Sequence, residues 1–217
     1  MTVKAVLFDL DGTLIDSNAD LAAAVNFMLR AYGLAELPPP EVKKLLGNGI
    51  RHVIESVFAR AGKNMTGDEI SAATELQMNY YLDHAADFTR PFAGVIELLE
   101  ELKRRNICTA VVTNKHALAA RKILQLLQMD HLFATVCGDG SGDNIALKPE
   151  PDLLFLALKE MNVDPQQALM VGDNYTDLGS ARRAGIKSVF CTFGYGVKDR
   201  ETADFEIDNM LELKELL

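Results

Sequence analysis

Basic residues and cysteine are what this sequence has little of. Lysine and arginine number 22 against 31 acids in 217 residues, a formal net charge of −9, and no block of like charge stands out. That balance argues against nucleic acid as a partner. It also sets a repulsive field against an anionic small molecule, so a site for one needs local cations. The three cysteines, Cys108, Cys137 and Cys191, are odd in number and far apart, which argues against a disulfide framework or a metal cluster. Buried reduced thiols are expected. No apolar run approaches membrane-spanning length, and no charged-then-apolar leader precedes a small-residue cleavage site. No membrane partner is expected, and the cytoplasm is the expected compartment. Apolar side chains, by contrast, make up 48% of the chain, ample for one domain or a domain with an insert.

The chemistry starts almost at the N-terminus. Val3-Lys4-Ala5-Val6-Leu7-Phe8 is a short apolar run that stops at Asp9-Leu10-Asp11-Gly12-Thr13. Near-continuous apolarity over so few residues marks a parallel strand covered on both faces. In open α/β sheets ligands bind beyond the carboxyl ends of such strands, which is where Asp9 and Asp11 fall. Residues i and i+2 of an extended chain point the same way, so both carboxylates can reach one bound atom. Two such groups repel unless a cation lies between them. A hard divalent ion, Mg²⁺, is the simplest one, with a substrate phosphate completing its oxygen shell. Taken alone, the pair fits a turn or helix cap after a strand equally well.

Downstream, residues 17–90 carry only helical patterns. Asp16-Ser17-Asn18 are helix-capping types ahead of Leu21, Val25, Met28 and Leu29; a second pattern from Glu41 is broken at Gly47-Asn48-Gly49 and resumes through Val53 to Ala61. A third runs from about 68 to 87. From residue 91 onward, strand and helix signals alternate up to a Leu-rich helix ending at Leu217. Alternation of that kind predicts a doubly wound parallel sheet, an α/β core of 1–16 and 91–217 interrupted by an all-helical domain of 17–90.

Several of the core strands run into polar residues. Val111-Val112 leads to Thr113-Asn114-Lys115, and Leu169-Met170-Val171 leads to Gly172-Asp173-Asn174-Tyr175-Thr176-Asp177. If these strands flank the first, Thr113 and Asp173 reach the same edge as Asp9. Lys148 precedes a helix with a proline in its first turn, and a cation beside a helix N-terminus suits phosphate. Singly, each has a plain reading: Thr113 and Asn114 as a helix cap, Lys148 as a solvated lysine, Asp173 and Asp177 as acids favoured at a helix start.

Together, Asp9-Leu10-Asp11-Gly12-Thr13, Thr113, Lys148 and Gly172-Asp173 with Asp177 resemble the four-motif pattern of the haloacid dehalogenase superfamily, and the likeness spans nearly the whole chain. The helical insert resembles that superfamily's α-helical cap. Val112-Thr113-Asn114-Lys115, Arg90-Pro91-Phe92-Ala93-Gly94 and Thr192-Phe193-Gly194-Tyr195-Gly196 are most similar to its phosphoglycolate phosphatase group, although Ala93 stands where that group usually has a second proline. The glycine-rich Gly138 to Asp143 stretch lacks the ending of a nucleotide-binding loop and reads as a turn.

The resemblance implies a Mg²⁺-dependent phosphatase acting on a small anionic phosphorylated substrate, 2-phosphoglycolate by its nearest group, through an aspartyl-phosphate. It makes Asp9 the nucleophile and Asp11 the general acid and base. Asp9, Asp11 through its main-chain carbonyl, and Asp173 become the metal ligands, with Asn174 and Asp177 just behind them. Gly12, Thr113, Asn114 and Lys148 become the phosphate-binding residues. In the cap, Asn48 and Arg51 are the candidates for substrate contact, and a monomer or homodimer is expected. A phosphosugar mutase of the β-phosphoglucomutase kind and an inorganic pyrophosphatase use the same core residues. A non-catalytic binding protein is the reading from another class. Haloacid dehalogenation is disfavoured by Asp11, since halide leaves without a proton.

Overall fold

The computed structural model describes residues 2–217, which divide into two compact units: Arg90–Leu217 together with the N-terminal segment up to Asp16, and Ser17–Thr89. In the first, the apolar run forms β1 (Ala5–Phe8), buried along its whole length. It pairs in parallel with β4 (Cys108–His116) on one side and β6 (Ala168–Gly172) on the other. Beyond β4 lies β5 (Thr135–Asp139), and beyond β6 lie β7 (Lys187–Cys191) and β8 (Phe205–Ile207), giving a six-stranded parallel sheet in the order β5-β4-β1-β6-β7-β8.

Register is what positions the site. Phe8 lies opposite both Val111 and Val171, so β1 and β6 end within a residue of each other while β4 runs on beside them to His116. Side chains alternate across a pleated strand. Ala5 and Leu7, Ala110 and Val112, and Ala168 and Met170 therefore share one face. They form a single core with Leu153, Leu154, Ala157 and Leu158 of α7 (Asp152–Met161) and with Ala181 and Ala184 of α8 (Tyr175–Ala184). Each fully buried leucine or methionine in this layer contributes about 1.5–3 kcal/mol. Two further helices, α5 (Val95–Arg104) and α6 (Ala117–Leu126), pack on β4.

The chain leaves and re-enters this unit through a two-stranded antiparallel ribbon of β2 (Ile15–Asp16) and β3 (Arg90–Pro91), with Ile15 opposite Pro91 and Asp16 opposite Arg90. The helical unit consists of α1 (Asn18–Ala31), α2 (Pro39–Lys43), α3 (Ile50–Arg60) and α4 (Gly67–His84) around a core that includes Val25, Met28, Val53, Val57 and Phe58. Thr66 and Glu69 close a capping box at the start of α4. Buried Asp20 ties the unit's two ends together, accepting hydrogen bonds from the main-chain N–H groups of Phe88 and Thr89 and from the Thr89 hydroxyl.

Three expectations need correcting. The C-terminal leucine-rich segment is a 3₁₀ helix over Met210–Leu216, not an α-helix. Its buried residues, Met210 and Leu213, are three apart, the spacing that eclipses in 3₁₀ geometry and puts both on one side. Strand β8 gave no usable alternation, being three residues at the sheet edge. Cys137 and Cys191 are buried thiols, whereas Cys108 is exposed, because it opens β4 at the end of the sheet away from Asp9. No helix among the described residues is long and apolar enough to cross a membrane.

Candidate active site

Beyond the ends of β1 and β6, where β4 runs on, Asp9, Asp177 and Asn114 meet one lysine. The Lys148 side chain is 1% exposed, and its ammonium lies 2.9 Å from Asp9 Oδ1, 2.6 Å from Asp177 Oδ1 and 2.7 Å from the Val112 carbonyl. Three ammonium protons thus meet three acceptors. Asn114 fixes the lysine from behind: the Lys148 N–H donates to Asn114 Oδ1 and Asn114 Nδ2 donates to the Lys148 carbonyl, each at 2.8 Å. Lys148 is the opposite of a solvated surface residue. The asparagine expected to grip phosphate spends its amide on that lysine's main chain.

Asp173 follows β6 by one residue and is bound from three directions. Thr13 Oγ1 donates to its Oδ1 at 3.0 Å, and the main-chain N–H groups of Tyr195 and Gly196 donate to its Oδ2 at 3.0 and 2.7 Å. Two glycines permit that enclosure. A Cβ on Gly12, whose φ is +91°, would fall 2.3 Å from Asp173 Oδ2, and a Cβ on Gly194 would fall 2.3 Å from the Asp173 Cβ. Asp177, in the first turn of α8, accepts from the Asn174 N–H at 3.0 Å in a capping box, and the Asn174 side chain accepts from Thr176. Carboxylate oxygens of Asp9, Asp173 and Asp177 lie within 4.8 Å of one another, all buried.

Asp11, which follows Asp9 by two residues, pairs with Lys115 Nζ at 3.0 and 2.8 Å through its two oxygens. Thr113 is buried within β4, its hydroxyl accepting from the Lys115 N–H at 3.2 Å. The N-cap of α6 is His116, not Thr113 or Asn114, because β4 runs on past a register shift between Val112 and His116. The two candidates on the helical unit stand apart from this account. Asn48 precedes Gly49, the N-cap of α3, and Arg51 on α3 pairs with Glu55 at 3.0 Å and donates to Ser71 Oγ at 3.3 Å. Sequence reasoning assigned no role to Thr13, Lys115 or the main chain at 195–196, although all three stand inside stretches it singled out.

The electrostatics show what the site lacks. Burial, reinforced by the charge of Asp9, pushes the Asp173 carboxyl up to about 6 from an ordinary 3.8 despite its three donors. Burial also pushes Asp177 up; Lys148 pulls it down, but Asp9 and Asp173 add to the rise. Burial alone would lower Lys148, yet Asp177 and Asp9 hold its proton more firmly than usual. Lys148 pairs with two of the three buried carboxylates, Asp9 and Asp177, while Asp173 is held by uncharged donors. A hard divalent cation bound by oxygen fits that deficit, and the buried Asp9, Asp173 and Asp177 group is the place for it. Nearby thiols do not compete as nucleophiles: burial raises Cys191 well above the ordinary thiol range and Cys137 to about 11.

A pH dependence follows with a definite sign. A carboxyl group held near 6 in the folded protein and near 3.8 in the unfolded one destabilises the metal-free fold as pH rises between those values, by roughly 3 kcal/mol once both are ionised. A bound cation removes that penalty by replacing the proton. The rise in melting temperature on adding Mg²⁺ should therefore be small at pH 5 and large at pH 8. A rise that is equal at both values, measured by thermal scanning, would contradict a carboxylate site of this kind.

Compared with known proteins, residues 6–191 match the model of the family described as haloacid dehalogenase-like hydrolase. The chain belongs to that family. It is 33% identical over 216 residues to the phosphoglycolate phosphatase of Aquifex aeolicus, covering 99% of this chain and 97% of that protein. It is also 33% identical to the N-acetylmuramic acid 6-phosphate phosphatase of Pseudomonas aeruginosa, over 90% of this chain and 84% of that one. Among solved structures, one described as a predicted phosphoglycolate phosphatase from Haemophilus somnus superposes with a TM-score of 0.90 at 29% identity, covering 100% of this chain and 98% of the other.

Proposed function

We propose that this chain, a phosphatase of the haloacid dehalogenase-like family, hydrolyses 2-phosphoglycolate in the presence of Mg²⁺ through an aspartyl-phosphate on Asp9. The observation that supports the chemistry is the buried pairing of Asp9 with Lys148 beside Asp173 and Asp177, which presents one strand-end carboxylate with its charge partly neutralised. The choice of substrate rests on likeness to relatives of that name.

In this reading an Asp9 oxygen attacks phosphorus, the bond to the leaving oxygen breaks, and Asp11 gives that oxygen its proton. Asp11 then takes a proton from water, whose oxygen attacks the phosphorus of the acyl phosphate, releasing phosphate and regenerating Asp9. Lys148 offsets charge on Asp9 and the phosphoryl group, Thr113 donates to the phosphoryl oxygens, and Gly12 brings the main chain close to them. Asn114 contributes through Lys148. Asp9, Asp173 and the Asp11 carbonyl would hold Mg²⁺ with Asp177 beside them. Bound there, the ion screens the phosphoryl charge and keeps the reacting groups in line. We take Ser17–Thr89 as the cap, with Asn48 and Arg51 as its substrate contacts, and the cytoplasm as the compartment.

The test is Mg²⁺-dependent phosphate release from 2-phosphoglycolate, N-acetylmuramic acid 6-phosphate, pyrophosphate, β-glucose 1-phosphate and an aryl phosphate. The highest kcat/KM is expected for 2-phosphoglycolate. Arg51→Ala should raise KM for it about 10-fold, the loss of one charged hydrogen bond, with little change for the aryl ester. A clear preference for any other panel member would replace the substrate.

A further inference from the structure

The two ammonium groups at this site are each held by carboxylates and differ in burial. Lys148 has an acceptor for each proton and sits at 1% exposure between Asp9 and Asp177. Lys115 reaches Asp11 from the end of β4, with 8% of its side chain and 18% of that of Asp11 exposed. Its backbone is held: the N–H donates to Thr113 Oγ1, and the carbonyl packs so closely on Gly138 that a Cβ there would come within 2.5 Å of it.

Charge decides where it would go. Asp9, Asp11, Asp173 and Asp177 bring four negative charges against two from Lys115 and Lys148, and a divalent cation balances them. A phosphate ester adds its phosphoryl charge to this balanced site, and an anionic group on its leaving alcohol adds one more. In the proposed reaction that alcohol departs toward Asp11, so a substituent on it would come near the residue that holds that carboxylate, Lys115. We propose that Lys115 is a specificity-determining residue that pairs with Asp11 in the empty enzyme and transfers to the anionic group of the leaving alcohol when substrate binds. The exchange replaces one ion pair with another and leaves Asp11 to carry the proton that it gives to the leaving oxygen. It rests on the reading of Asp9 and Asp11 given above.

Matched esters test it. 2-Phosphoglycolate and ethylene glycol monophosphate differ only in carboxylate against hydroxymethyl, and 3-phosphoglycerate supplies a second anionic alcohol. Lys115→Met should lower kcat/KM for the carboxylated esters by about 10- to 100-fold, the range for a charged hydrogen bond, and lower the glycol ester far less. Lys115→Arg should recover part of the loss. Equal losses on all esters, or none, would overturn the assignment. Should Lys115→Met melt early, Lys115→Gln together with the retained Mg²⁺-induced melting shift separates folding from selectivity. A wild-type enzyme that prefers a different ester removes 2-phosphoglycolate as substrate. The Lys115 proposal then stands or falls on whether the variant discriminates charged from uncharged leaving groups.

Discussion

Asp9→Asn should remove phosphate release by about 10⁴-fold or more, the scale on which losing a covalent nucleophile acts. The fold should survive. Asp9 is one of the charges that raise Asp173 and Asp177, so an amide in its place relieves repulsion in the metal-free site. Lys148 keeps Asp177 and the Val112 carbonyl. The variant's melting temperature without metal should be no lower than that of the parent, and it should form no acid-stable, alkali-labile phosphoenzyme. Activity above a few per cent of the parent would end the aspartyl-phosphate scheme.

Lys148→Met produces the other large effect, and it falls on stability as well as rate. The substitution keeps the chain's bulk but leaves the wholly buried Asp177 without its cation. Breaking a buried pair in this way costs about 3–5 kcal/mol, equivalent to a fall of roughly 6–20 °C in melting temperature. Turnover should drop about 10²- to 10³-fold, as when one stabilising donor is removed from a reacting oxyanion. Lys148→Arg should rescue neither property, because a planar guanidinium does not fit a socket with one ammonium-sized place and three acceptors. Unchanged melting would show that the Asp9 and Asp177 contacts do not hold the fold.

The strand-end acids were readable because each ends an apolar run, and the run itself predicts the strand. Phe8 lies opposite Val111 and Val171, so Asp9 and Asp173 arrive at one edge without any long-range information in the sequence. The pairings across the site were not readable. Asn114 meets the Lys148 main chain 34 residues away, and Lys115 meets Asp11 at a separation of 104. Neither contact leaves a local pattern, since an asparagine or lysine after a strand looks the same whether it faces substrate or a neighbour. The edge strand β8 was lost for a different reason: three residues are too few for periodicity to separate from coil. The final segment, by contrast, reads as a helix, and only its 3₁₀ geometry was not legible.

The ribbon of β2 and β3 gives this architecture a modular character. Because departure and return occur at paired residues, Ile15 with Pro91 and Asp16 with Arg90, a change in the intervening segment's length costs the sheet little, about 0.6 kcal/mol of closure entropy for each doubling. Its length and sequence could drift, or be exchanged with a relative's, without disturbing the register that brings Asp9, Thr113 and Asp173 level. The bond-breaking apparatus and the inserted helices can therefore be inherited and altered on separate schedules.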